Sequence, residues 1–252
     1  MIRQKFNLHR ILSQQAEQSI LGSMLGGGCL SLPKTAKNPY FQMRHSIIQK
    51  EYFFWKAELL LEIQRPVSSH QQIPDGYSKN AKLHFSSKNT ERLMELYELV
   101  YKTGKKTVRR KWLNLMTPLS LLIWWLDDGS IVSSRKGVFC TDGFSLEEIE
   151  ILKQYLLVVW NITTHIGKVS RRQNQYYRLY FYGVEELKKF LRIILPELKI
   201  KSMLHKFFLK YKNHDLQQRW ISEVSLLSGF SDVEIREAID QRKSENDIVH
   251  SS

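Results

Sequence analysis

Cysteine is nearly missing. Cys29 and Cys140 are the two in 252 residues. Two cysteines cannot build a disulfide framework, so a reducing compartment is the default. Without further cysteines the eight histidines form no zinc pattern, because zinc ligands come in closely spaced pairs. Long apolar runs are also missing. The longest outside the N-terminal region is residues 119–126, far short of the roughly 20 residues a membrane helix needs. Near the start, Arg3, Lys5 and Arg10 followed by apolar residues 20–25 imitate a signal peptide, and Cys29 behind three glycines imitates a lipoprotein site. Gln14, Gln15, Glu17 and Gln18 interrupt that approach and leave the apolar region too short. The expectation is a soluble intracellular protein, of cytoplasm or an organelle matrix, with no membrane partner. Gly26-Gly27-Gly28 lacks the Gly-Lys-Ser/Thr of a phosphate loop, and no Ser-His-Asp arrangement stands out. Acidic residues are the last shortage. There are 25 Asp plus Glu against 38 Lys plus Arg, a net charge of +13. That surplus points to an anionic partner, nucleic acid before a membrane surface. Apolar (42%) and charged (25%) fractions are those of a globular chain, which excludes disorder and collagen-like repeats.

What is present is an internal repetition. An apolar, helix-like segment at residues 19–28 ends in glycines, and residues 117–129 repeat it about a hundred positions later. Thr117-Pro118 opens the second copy, a cap followed by a proline suited to the first helical turn. After the first copy, Phe41, Met43, His45 and Ile47 alternate with Tyr40, Gln42, Arg44 and Ser46, the period of a strand. Residues 50–63 read as a helix, 67–87 as polar strands around Pro74-Asp75-Gly76, and 91–101 as an amphipathic helix carrying Leu93, Leu96, Leu99 and Val100. After the second copy, 131–141 read as strands around Arg135-Lys136-Gly137. Ser145 and Glu148 form a capping box that starts a helix to Trp160. Residues 163–170 and 176–182 are further strands joined by Arg171-Arg172-Gln173-Asn174, and 184–195 a helix stopped by Pro196. The expected fold class is α+β, two pseudo-symmetric αββαββα halves. The first half is 1–101, a basic connection 102–116, the second half 117–212, and a helical extension with a disordered end 213–252.

Written as nine residues, the two copies are Ile20-Leu-Gly-Ser-Met-Leu-Gly-Gly-Gly28 and Leu121-Leu-Ile-Trp-Trp-Leu-Asp-Asp-Gly129. With their spacing, their following elements and the Met-Thr-Pro-Leu-Ser-Leu run at 116–121, they resemble the paired motifs of a double-motif LAGLIDADG homing endonuclease of the omega-type branch. The resemblance runs from about Ser19 to about Lys206. Small residues let two helix backbones approach, and Gly22 and Gly26, four apart, share a face. Trp124 or Trp125 is a candidate for the opposing surface.

The resemblance implies Mg²⁺-dependent phosphodiester hydrolysis, with Mn²⁺ a possible substitute. A carboxylate at the eighth position of each motif holds the metal, which orients a water and lowers its pKa. In the second motif that residue is Asp128, with Asp127 beside it. In the first it is Gly27, preceded by Gly26, and glycine cannot coordinate through a side chain. Glu17 lies ten residues upstream, about 15 Å along a helix, and Glu51 lies beyond a strand. Half of the acidic pair is therefore missing. Three readings follow: a disabled nuclease that still binds DNA, a nicking enzyme centred on Asp128, or an intron-RNA splicing protein. The resemblance also places one lysine near the metals from each half, Lys106 (alternatively Lys105) and Lys206.

The same resemblance implies saddle-shaped antiparallel sheets whose polar faces read the major groove, where base edges are distinguishable. Candidates are Gln42, Arg44, Lys82 and His84 from the first half, and Arg135, Lys136, Lys168, Arg171, Arg172, Arg178 and Tyr180 from the second. Lysines and arginines at turns are assigned to phosphates. The halves differ in sequence, so the expected partner is a long, not strictly palindromic duplex bound by a monomer, with intron RNA as the alternative.

Overall fold

The structure, a computed structural model, describes residues 12–72, 80–171 and 174–240. It divides into two compact units. One comprises Met1–Thr107 with Leu115–Ile123, the other Val108–Asn114 with Trp124–Ser252.

The first unit opens with helix α1, Gln14–Leu25. Ser13 starts it by accepting the Ala16 N–H at 3.2 Å, one of the donors a helix start leaves over. The helix therefore begins five residues before the apolar segment, and the glutamines that interrupt a signal peptide form its first turns. Nine of its residues are buried, Gln18, Ser19 and Ser23 among them, so it is a core helix covered nearly all round. Next come β1 (Gly28–Ser31), β2 (Tyr40–Ser46), α2 (Lys50–Glu58), β3 (Gln64–Gln72), β4 (Lys82–Ser87) and α3 (Met94–Val100). The strands form one antiparallel sheet in the order β1-β2-β4-β3. Phe41, Met43 and His45 of β2 are buried as their alternation requires, and Phe85 of β4 joins them. Leu93, Leu96 and Val100 bury the apolar side of the α3 region. Strand β1, four residues long, is too short to show a period in the sequence. The expected turn at 74–76 lies outside the described residues.

The basic connection is ordered. Strands β5 (Tyr101–Lys102) and β6 (Lys105–Lys106) pair across Thr103 and Gly104. Both turn residues have positive φ, 50° and 77°, as the tightest hairpin turns demand. A short helix α4, Arg110–Leu113, buries Trp112 and Leu113.

Helix α5, Pro118–Asp128, is the second glycine-ended segment. It is followed by β7 (Gly129–Val132), β8 (Lys136–Phe139), α6 (Leu146–Trp160), β9 (Thr164–Arg171), β10 (Asn174–Phe181), α7 (Val184–Ile194) and α8 (His214–Ser228). Residues 232–240 are helical. The strands form a second four-stranded antiparallel sheet, in the order β7-β8-β10-β9. The capping box at Ser145 and Glu148 is complete. Each half thus runs α-β-β-α-β-β-α, as the internal repetition predicts.

The core of the second unit is aromatic. Trp124 stacks on Phe139 with ring centroids 3.8 Å apart. Trp125 meets Phe139, Phe181 and Phe190 edge-on. Both indoles are thus packed in the core of the second unit. In the first unit, the atoms nearest a Cβ at Gly22 belong to Ser120 and Ile123.

Candidate functional site

Each nine-mer ends on a glycine that starts a strand. At the end of α1, Gly26 caps the helix, its N–H bonded to the Ser23 carbonyl at 3.1 Å. Gly28 then starts β1. A Cβ at Gly28 would lie 2.6 Å from Ser23 Cβ and 3.0 Å from the Phe41 ring. At the end of α5, Gly129 starts β7, and a Cβ there would strike the Trp125 ring. The last glycine of each nine-mer is therefore fixed by the chain folding back against its own helix. Gly27 is different. It is exposed, and a Cβ there would meet nothing within 4 Å. Its missing side chain is not required by packing.

A lysine sits on the carbonyl end of each motif helix. Lys106 Nζ donates to the Met24 carbonyl at 3.0 Å. Lys206 Nζ donates to the carbonyls of Leu126 and, at 3.0 Å, Gly129, with Trp125 more distant at 3.4 Å. Trp125 Nε1 returns a bond to the Lys206 carbonyl at 3.1 Å. Cations at helix C-termini satisfy orphan carbonyls and complement the dipole. Lys105, the alternative, is exposed on β6. The structure therefore places Lys106 and Lys206 in equivalent positions, each beside its own motif.

In the second unit, Asp127 and Asp128 are half-exposed at the helix end. The Asp128 carbonyl accepts the Cys140 N–H at 2.9 Å. Burial pushes the Cys140 thiol above its ordinary pKa, and the Asp142 and Asp128 carboxylates add to the rise against the nearby Arg178 and Lys206. Among the described residues no three His, Cys, Asp or Glu side chains converge. Mg²⁺ is commonly held through one or two carboxylates plus substrate phosphates. Asp128 fits the minimum of that requirement, and Asp127 is its neighbour. The first unit offers only backbone at Gly26 and Gly27.

The helix that carries Asp128 is positioned by a residue the sequence disguised. Gln18 of α1 is buried. Its Oε1 accepts the Thr117 N–H at 2.9 Å and the Ser120 hydroxyl, while its Nε2 donates to the Leu115 carbonyl at 3.0 Å. Gln18 thereby caps the start of α5 from a different helix. In the sequence it is one of four polar residues that spoil an apolar run, and nothing local marks its partners.

Strand register decides which basic residues share a face. In the first sheet Gln42 pairs with Ser86, Arg44 with His84 and Ser46 with Lys82. Directly opposed residues of antiparallel strands point to the same side, so Gln42, Arg44, His84 and Lys82 share one face. Gln42 Nε2 donates to Ser31 Oγ at 3.2 Å, and its Oε1 lies 3.4 Å from His84 Nε2. Arg44 is exposed and His84 largely covered. In the second sheet Arg178 opposes Gly167, Tyr180 opposes His165, and Lys168 opposes Tyr177. Alternation along β10 puts Arg178 and Tyr180 on one side and Tyr177 on the other. Lys168 therefore faces away from the side of Arg178 and Tyr180. Lys136 completes that side, its Nζ 4.8 Å from the Tyr180 ring centroid. His165, which no sequence pattern singles out, stacks on Tyr180 at 5.6 Å. Burial, and then Lys136, push its pKa below the ordinary value. Arg178 donates twice to Asp142, through Nε and Nη2, both at 2.6 Å. That pairing raises the guanidinium pKa and leaves three of its N–H donors for another partner. Arg135 stands in the β7–β8 turn and Arg171 at the end of β9. Arg172 lies outside the described residues.

Residues 17–190 match the model of the LAGLIDADG DNA endonuclease family. A protein named cytochrome b mRNA maturase bI2 from Debaryomyces hansenii is 24% identical over 203 residues, covering 77% of this chain and 76% of that one. A Mycobacterium gastri protein named RecA is 37% identical over 134 residues, 51% of this chain and 30% of that protein. The chain spans under half the length of the mycobacterial relatives it matches. Among solved structures, the homing endonuclease I-WcaI bound to its DNA recognition sequence superposes with a TM-score of 0.69 at 19% identity, over 83% of this chain and 96% of that one. The fold is that of the LAGLIDADG homing endonucleases. No helix among the described residues is long and apolar enough to cross a membrane. The family model covers most of the chain and both glycine-ended helices, and on that ground the chain belongs to the LAGLIDADG DNA endonuclease family.

Proposed function

We propose that this protein binds one long, not strictly palindromic DNA duplex as a monomer, and that its strand cutting is impaired or confined to nicking. The observation that carries the reading is the inequality of the two motif ends. Asp128 with Lys206 offers a carboxylate beside a fixed cation, while Gly27 with Lys106 offers the cation alone. A bound Mg²⁺, or Mn²⁺ in its place, would supply Lewis-acid activation of water at Asp128. Lys106 and Lys206 keep positive charge at the carbonyl ends of the helices, where an acidic end would otherwise repel a phosphate. Gln42, Arg44, Lys82 and His84 on one sheet, and Lys136, Arg178 and Tyr180 on the other with Arg135 in its β7–β8 turn, supply the donors and acceptors that distinguish base edges.

The test is cleavage of a plasmid library with Mg²⁺. The chain itself is expected to bind, and to nick at most. Gly27→Asp is expected to convert nicking or binding into linearisation, and Asp128→Asn to abolish any nicking. Efficient linearisation by the unchanged chain would refute the reading of Gly27, and nicking that persists in Asp128→Asn would refute the role of Asp128.

A second reading is favoured by the similarity to the bI2 maturase, which spans three quarters of both chains. In that reading the partner is intron RNA and no strand is cut. It requires RNA binding that survives Arg44→Ala and Arg178→Ala, where duplex binding is lost.

A further inference from the structure

The turn between β7 and β8 is built in an unfavourable way and is held from outside. Ser133 and Ser134, consecutive non-glycine residues, both adopt positive φ, 46° and 69°. Such residues persist where surrounding structure over-determines them. The outside support is the segment after Phe207. The Lys210 N–H donates to the Ser134 carbonyl at 2.9 Å. The Arg135 guanidinium lies over the Tyr211 ring, 5.1 Å from its centroid. That segment is in turn gripped by α8. Gln217 accepts the Tyr211 N–H at 2.9 Å and donates to the Leu209 carbonyl at 3.2 Å. Trp220, buried, donates to the Phe207 carbonyl at 2.9 Å. Helix α8 is itself pinned to α7 by the two-bond pair of Arg192 and Glu223.

We propose that Tyr211 is a positioning residue. Through it and Gln217, the helix after the second repeat sets the conformation of the β7–β8 turn and aims Arg135 at its DNA target. The proposal rests on the DNA reading above. An exposed arginine loses considerable side-chain freedom when it binds. Parking its guanidinium on an aromatic ring removes part of that freedom beforehand, which favours the two-pronged contact an arginine makes with a base over the phosphate contact that its place in a turn suggests. The arginine and the strained turn lie between β7 and β8. The support comes from Lys210, Tyr211 and Gln217, beyond α7.

Two readouts on Tyr211→Leu test this, with Tyr211→Phe as the conservative control. The first is limited trypsin digestion of the folded protein without DNA, scored for cuts after Arg135 and Lys136. Loss of a surface cation–π contact predicts about a two- to five-fold faster cut in Tyr211→Leu and an unchanged rate in Tyr211→Phe. An unchanged rate in Tyr211→Leu would overturn the clamp. The second is base preference, read by selecting sites from a random duplex pool with the unchanged chain and then assaying single-base variants. Tyr211→Leu is expected to relax preference only at the pairs where Arg135→Ala relaxes it, and the double variant no further. Uniform weakening at every pair, or no change where Arg135→Ala has one, would overturn the positioning role. If the unchanged chain selects no duplex, or Arg135→Ala relaxes nothing, the DNA reading of this turn fails, while the digestion still decides whether Tyr211 holds it.

Discussion

Gly22→Ala adds one carbon at the place where α1 touches the start of α5. A Cβ there would collide with the Ser120 carbonyl and lie 3.0 Å from both Ser120 Cα and Ile123 Cβ. Two of these three atoms are backbone, so no rotamer change can clear them; the helices must move apart. Overpacking of this kind costs about 1–3 kcal/mol and occasionally more. Alanine also gains roughly 1 kcal/mol of helix propensity over glycine. With rigid backbone as the obstacle the cost is set at the upper end, and about 1–2 kcal/mol of net destabilisation should remain. For a chain of this size that lowers Tm by about 2–8 °C. The contrast is Gly27→Ala, just past the end of the same helix, where the new carbon meets open space. Replacing glycine at an unstrained position restricts the unfolded chain and stabilises by about 0.4–1 kcal/mol. Differential scanning calorimetry of the two variants should therefore move Tm in opposite directions. A Gly22→Ala variant as stable as the unchanged chain would refute the close helix contact.

Gln18→Leu removes a side chain that makes three hydrogen bonds to the residues opening α5. The orphaned Thr117 N–H and Ser120 hydroxyl predict a loss of about 2–4 kcal/mol, measured by urea unfolding; a midpoint unmoved from that of the unchanged chain would exclude the cap. Lys206→Met leaves the end of α5 without its cation, and a loss of about 1–2 kcal/mol is expected, with amide exchange rising first around residues 125–129. Exchange confined to other regions would contradict the anchoring. Glu17 has its pKa raised, first by burial and then by Glu95. An acid raised on folding holds its proton more tightly in the native state, so its contribution is fully present below the unfolded value near 4.5 and is lost as pH rises through the folded pKa. Glu17→Gln should therefore raise Tm at pH 7 and make no difference at low pH. A gain at low pH alone would reverse the assigned sign.

Much of this molecule was legible in local pattern because the physics there is local. The alternation of Phe41, Met43 and His45 gave β2 its buried side, Ser145 and Glu148 marked the start of α6, and two glycine-ended segments a hundred residues apart announced the repeat. Side-chain period and caps depend on neighbours within a few residues, so sequence alone determines them. The same holds for the surplus of positive charge and for the absence of a carboxylate at Gly27. Other features needed the tertiary structure, because they depend on which strand or helix lies opposite. Register, not composition, turned Lys168 away from the side of Arg178 and Tyr180 and brought His165 onto it. Gln18 looked like an interruption and is a cap for another helix, ninety-nine residues from the Thr117 N–H it accepts. The tryptophans of the second motif carry no local mark of their partners and pack into the aromatic core around Phe139. The sequence thus determined that the two motif ends are chemically unequal. Tertiary packing decided that Gly22, Gly28 and Gly129 have no room for a side chain and that Gly27 does. An absent atom leaves the same letter in the sequence whether or not its place is taken.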